Sequence, residues 1–148
     1  MNLQDSADIA FLALTIWREG RGEPEAARRA IADVIVNRVR RPSWWGHDVQ
    51  SVLFKKWQFS SLTDPKDRQL TTWPATNDEQ WRGCLFIAYH AILGPPLSSA
   101  DSYYDKSIPA PKWATADTFV AAIGRLRFHN LDRDVEVGGD SKTKRYVQ

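Results

Sequence analysis

With a single cysteine, the 148-residue chain can form no internal disulfide and no cysteine-built metal cluster. That residue, Cys84, lies within WRGCLFIAYHAIL on an apolar helical pattern and reads as core packing. Long hydrophobic runs are missing as well, so no stretch is suited to spanning a bilayer as a helix. The opening MNLQDSADIAFLALTIWREG puts acid ahead of a short apolar run and has no basic leading region, so it does not read as a signal peptide. Charge of one sign is not in excess either. The 20 basic residues face 18 acidic ones for a net charge of +2, which argues against a dedicated nucleic-acid binder. Repeats, low-complexity segments and sustained period-two alternation are all absent. What remains is a mainly helical single domain, large enough to bury a core without staples.

What the chain has in quantity is tryptophan, seven in all, at positions 17, 44, 45, 57, 73, 81 and 113. Trp44, Trp45, Trp57, Trp73 and Trp113 sit in Pro, Gly, Ser and Lys-rich surroundings that read as loops. Loop tryptophans serve either as platforms for flat ligands or as plugs beneath the loop, and the plug is the commoner role for any single one. The basic runs ARRA, NRVRR and GRLRF are either contacts for an anionic polymer or solvated helix faces, the second being the commoner.

A first helix is expected from Asp5 or Ser6, with Ile9, Leu12, Ala13, Ile16 and Trp17 along one face and an end at Gly20 and Gly22. Pro24 suits the first position of a second helix, which makes Glu23 its N-cap-like residue. That helix carries Ala27, Ile31, Val34, Ile35 and Val39 inward and stops before Pro42. SWWGH reads as a loop, DVQSVLF as a short helix capped by Asp48, and KKWQFSSL as an aromatic turn. A third long helix is expected to open with a capping box over Thr76 to Glu79, to bury Trp81, Cys84, Leu85, Ala88 and Ile92, and to close at Gly94. SYY reads as a short extended piece and TADTFVAAIG as a last helix capped by Thr115 or Asp117.

The segment TIWREGRGEP concentrates the chemistry. Glu19 continues the buried stripe of the first helix into its last turn, where desolvation and the negative dipole end both favour a protonated carboxyl. Glu23 begins the next helix, where free N–H groups and the positive dipole end favour the ionised form. Two carboxyls pushed apart by their surroundings are a pattern of acid–base catalysis. An interhelical turn, with Glu23 as a cap and Glu19 paired to Arg18 or Arg21, explains the same spacing and is the commoner outcome for spacing alone.

The stretch IWREGRGEPEAARRAIADVIVNRVRRP resembles the opening signature of the SleB-type cell-wall hydrolases, the spore-cortex-lytic enzymes. The match runs through Glu19, Gly20, Arg21, Gly22, Glu23 and Pro24 and then Asn37, Arg38 and Val39. WQFSSL resembles the family's Gln-Phe-Ser turn at Gln58, Phe59 and Ser60. SYYDKSIPAPKWA resembles its Tyr-Tyr segment at Tyr103 and Tyr104, and AIGRLRFHN its closing Ile-Gly-x-x-x-Phe. The resemblance spans about residues 7–130. Two departures stand out. Leu126 occupies a place where the family commonly has His, with His129 following Phe128 instead, and SWWGHD has no obvious counterpart.

The resemblance implies a lysozyme-like helical domain, of goose-lysozyme or lytic-transglycosylase type, with little β structure. It implies cleavage of peptidoglycan glycan strands between N-acetylmuramic acid and N-acetylglucosamine, leaving 1,6-anhydro ends, with Glu19 as the catalytic acid. Glu23, Gln58, Phe59, Ser60, Tyr103 and Tyr104 are the candidate substrate contacts, Glu23 in a supporting role, while Asn37 and Arg38 are expected to tie the second helix to loops. No metal or cofactor is called for. Residues 1–130 are expected to form the catalytic domain and 131–148 a polar tail, either mobile or docked on it. A monomer is expected, made in the cytoplasm and reaching the wall by another route, such as phage release through a holin-type hole. A muramidase, an amidase and a non-catalytic wall-binding module are the rival readings, the amidase having no zinc-ligand or Cys/His pattern behind it.

Overall fold

A computed structural model describes residues 1–56 and 58–132 of the chain, so Trp57 and residues 133–148 lie outside the described residues. The first helix, α1 (Leu3–Glu19), starts earlier than the acidic residues suggest. Asn2 forms a capping box with Asp5, its side chain accepting from the Asp5 N–H at 2.8 Å while the Asp5 carboxylate accepts from the Asn2 N–H at 3.1 Å. The helix closes at Gly20, and Gly22 then turns the chain at φ 76. Pro24, not Glu23, is the N-cap of α2 (Glu25–Arg40), and no side chain caps that end. Glu23 therefore sits one residue before the cap.

The expected stripes face one core. Leu12 and Ile16 of α1, Ile31, Val34 and Ile35 of α2, and Cys84 and Ala88 of α5 (Glu79–Leu93) are all buried in a single cluster, with Val39, Trp81, Leu85 and Ile92 packed against it half-buried. The three long helices pack pairwise, and the short α3 (Val49–Leu53), capped by Asp48 as expected, closes one side against α1 and α2. The cap of α5 is Asp78, whose carboxylate accepts from the N–H groups of Gln80 and Trp81; the box expected from Thr76 is not formed.

Between α3 and α5 lie α4 (Ser60–Thr63) and a single 3-10 turn over Arg68–Thr71. Three short strands complete the fold: β1 (Ser102–Asp105), β2 (Phe119–Ile123) and β3 (Leu126–His129), antiparallel in the order β1-β3-β2. β2 corrects the expected last helix. Its alanines favour a helix, but a helix confined between Thr118 and Gly124 would have little to bury, whereas the strand pairs along β3 with one irregularity between Phe119 and Ala121. Gly124, at φ 56, supplies the positive-φ position of the two-residue hairpin loop. Of the expected polar tail, only Leu131 and Asp132 are described, and their N–H groups donate to the buried Asp101 carboxylate at 2.9 and 3.0 Å.

Candidate active site

Glu19, the last residue of α1, projects into a cleft of about 800 Å³. The opposite walls come from α2, from the loop after it, from the turn before α4 and from β1. Tyr103 on β1 donates its hydroxyl to Glu19 Oε1 at 3.1 Å. Burial is the largest influence on the carboxyl and raises its pKa; the negative charge of Asp67 pushes the same way, while the Ser61 and Tyr103 hydroxyls pull back. Ser61 Oγ is buried without a hydrogen bond of good geometry, yet it lies close enough to Glu19 to favour the ionised form. Tyr103 is itself pushed well above the usual phenol range, first by burial and then by Glu19, so it stays a donor.

The two arginines that could have neutralised Glu19 are engaged elsewhere. Arg21 lies over the Trp17 ring at 4.6 Å. Arg18 is buried and donates to the carbonyls of Ser61 at 2.9 Å, Leu70 at 3.1 Å and Thr72 at 3.2 and 3.1 Å, with Trp73 against its guanidinium. These bonds fasten the 61–72 segment to the helix end that carries Glu19, which is how Ser61 and Asp67 come to act on it. Asp67 is fixed in turn by Ser60 Oγ at 2.7 Å and by the Gln69 N–H at 2.8 Å.

Four of the candidate contacts line the cleft with Glu19: Gln58, Phe59, Tyr103 and Tyr104. Gln58 accepts from Arg38 Nη1 at 3.2 Å, and Tyr104 packs against Trp113 and stacks on His129. Ser60 does not line it, being turned outward to Asp67 while its neighbour Ser61 faces inward. Glu23 does not line it either. Both of its carboxylate oxygens accept from the Arg125 N–H, at 3.3 and 3.2 Å, and a Cβ at Gly124 would collide with them. Glu23 thus fastens the β2–β3 hairpin to the interhelical turn.

A family model described as Cell Wall Hydrolase matches residues 22–129. The chain belongs to the cell wall hydrolase family. Its match to the spore cortex-lytic enzyme of Halalkalibacterium halodurans is 27% identical over 123 residues, covering 83% of this chain and 34% of that protein, so the chain spans about a third of the length of this curated relative. The solved catalytic domain of the germination-specific lytic transglycosylase SleB from Bacillus anthracis superposes with a TM-score of 0.66 at 26% identity, over 87% of this chain and 97% of that one. This likeness bears out the expected lytic-transglycosylase-like fold. The family match begins at Gly22, three residues beyond Glu19, so the case for Glu19 rests on its geometry and on the motif around it.

This cell wall hydrolase also lines its cleft with residues that were not among the candidate substrate contacts, one of them, Arg38, tying α2 to a loop as expected. Arg38 is buried between the Trp45 and Phe59 rings, donates from Nε to the Asp101 carbonyl at 2.7 Å, and forms part of the cleft wall. Its place on the inward stripe of α2, seven residues after Ile31, was a usable signal. Asn37 ties α2 to the Ser98 and Ala100 carbonyls, both at 2.8 Å, as expected. Trp44 and Asp105 also line the cleft. Asp105 is held below the usual carboxylate range, chiefly by the Ser107 N–H, with Arg125 paired to it at 3.3 Å. Leu126 is core, and His129 is buried against Thr118 at 2.8 Å, with burial lowering its pKa. Among the described residues no three His, Cys, Asp or Glu side chains come together as a metal site.

Proposed function

We propose that the chain cleaves peptidoglycan glycan strands at the β-1,4 bond between N-acetylmuramic acid and N-acetylglucosamine, as a lytic transglycosylase with Glu19 as the single acid–base. The observation that carries this reading is a half-buried carboxyl with a raised pKa, without a salt-bridge partner among the described residues and held by a phenol donor in an open cleft. Protonated Glu19 gives its proton to the glycosidic oxygen as the bond to the anomeric carbon breaks. The resulting carboxylate takes the proton of the muramic 6-OH, whose oxygen bonds to that carbon and closes the 1,6-anhydro ring. No water is consumed and Glu19 ends the cycle protonated. Glu23 orders the turn from outside the cleft, and residues 1–130 form the catalytic unit.

Asp105 supports a second reading. It is a cleft carboxylate held ionised, and hydrolysing glycosidases pair an acid with such a group to activate water. Its engagement with Ser107 and Arg125 favours the transglycosylase. The two are separated by digesting purified peptidoglycan and weighing the fragments by mass spectrometry. Anhydro ends that disappear in Glu19→Gln support the first reading, and reducing ends support the second. Full activity of Glu19→Gln overturns both.

A further inference from the structure

Trp44 and Trp45 are neighbours with opposite fates. Trp45 is 1% exposed, and its indole N–H donates to the Arg38 and Arg41 carbonyls at 3.1 and 3.0 Å. The turn that carries both is closed by a bridge between Ser43 and Gly46, in which the Gly46 N–H donates to the Ser43 carbonyl at 3.2 Å. Gly46 has φ 124, and a Cβ there would meet Ser51 Oγ at 2.7 Å and the Val52 nitrogen at 2.9 Å. The turn is therefore pinned to α2 by Trp45 and pressed onto α3 at Gly46. Trp44, held on this fixed corner, is half-buried and lines the same cleft as Glu19.

We infer that Trp44 is a glycan-stacking residue, its indole carrying the C–H face of one pyranose ring of the strand bound in the Glu19 cleft. Its N–H is buried with no hydrogen-bond partner among the described residues, so the part of the ring left to the cleft is carbon surface. An apolar, flat surface in the same cleft as Glu19 and Gln58 matches the apolar face of a sugar and offers no group that could take part in bond breaking. The two cleft tyrosines are engaged with other side chains. Tyr104 is packed between Trp113 and His129, and Tyr103 is committed to Glu19. The inference rests on the proposed glycan substrate.

The test uses Trp44→Leu, which keeps apolar bulk without the flat face, and Trp44→Phe, which keeps a flat face without the stranded N–H. In calorimetric titrations of N-acetylglucosamine hexamer into proteins that also carry Glu19→Gln, Trp44→Leu is expected to weaken binding about tenfold and Trp44→Phe by less than about threefold. On purified glycan strands with Glu19 restored, Trp44→Leu raises KM and leaves kcat within about twofold, the mark of lost uniform binding. Parental affinity and KM in a Trp44→Leu protein of unchanged melting temperature overturn the inference, as does equal weakening in Trp44→Phe. The calorimetry needs no bond cleavage, so its failure differs from failure of the proposed reaction, which shows as an active Glu19→Gln protein.

Discussion

Glu19 and Glu23 are the same residue type on either side of one short turn, and the fold treats them oppositely. Glu19 is drawn into the cleft, where burial raises its pKa and the Tyr103 hydroxyl donates to it. Glu23 is turned to the far side, where both its oxygens hold the Arg125 N–H of the hairpin. In Glu19, burial favours the protonated form that a general acid needs. Glu23, given a backbone donor, acts as a staple. Gly-Arg-Gly separates them not by breaking a helix for its own sake but by letting two adjacent helix ends face different neighbours.

Replacing Glu19 should break this contrast most severely. Glu19→Gln is expected to lower the rate of glycan cleavage by at least about 100-fold, the usual contribution of a positioned general acid. Stability should move the other way. A carboxyl whose folded pKa lies above its unfolded value binds more protons in the folded state, so it weakens the fold as pH rises from the unfolded pKa through the folded one. Glu19→Gln should therefore melt above the parent at neutral pH, and the difference should vanish below the ordinary carboxyl range. Thermal melts at a series of pH values read it directly. Next in size is Arg18→Met, which strips donors from the Ser61, Leu70 and Thr72 carbonyls. A loss of about 2–4 kcal/mol in urea unfolding is expected, with kcat falling alongside because the segment facing Glu19 is released. Unchanged stability would show that Arg18 is not the fastening.

The helices were legible because their apolar residues repeat at helical spacing, and Glu19 was legible because it prolonged one such stripe to its end. What could not be read locally was anything decided by a distant partner. Glu23 sits in the right place for a cap, yet its acceptor role is claimed by an N–H 102 residues later. Phe119 to Ile123 contain two alanines and no clean alternation, and only pairing with β3 makes them a strand. Ser60 stood in the motif, but one residue of helical rotation puts Ser61 inward in its place. Trp44 and Trp45 had identical surroundings in sequence, and the turn alone decides which is buried.

The Glu23 side should give smaller effects confined to stability. Glu23→Ala removes the acceptor for Arg125, a cost of about 1 kcal/mol. Gly124→Ala forces a Cβ against the Glu23 carboxylate at a positive φ and should cost about 1–2 kcal/mol. Each should leave kcat within about twofold, in contrast with Glu19→Gln. A large fall in kcat for Glu23→Ala at unchanged stability would place Glu23 in the chemistry and erase the distinction.

The finest test adjusts Glu19 without touching it. The acid form is the one that protonates the leaving oxygen, so kcat/KM should fall as pH rises through the Glu19 pKa. Asp67 raises that pKa, while Tyr103 and Ser61 lower it. Asp67→Asn should therefore move the alkaline limb to lower pH, and Tyr103→Phe and Ser61→Ala should move it to higher pH. Arg38 and Asp105 also line the cleft and are unchanged in all three variants, so their field is common to every comparison. Loss of a hydroxyl or a charge could slow any enzyme by loosening its site, but loosening alone would lower the whole profile without displacing it in opposite directions. Displacement in opposite directions identifies Glu19 as the titrating acid, and a limb that stays fixed in all three variants assigns the titration to another group.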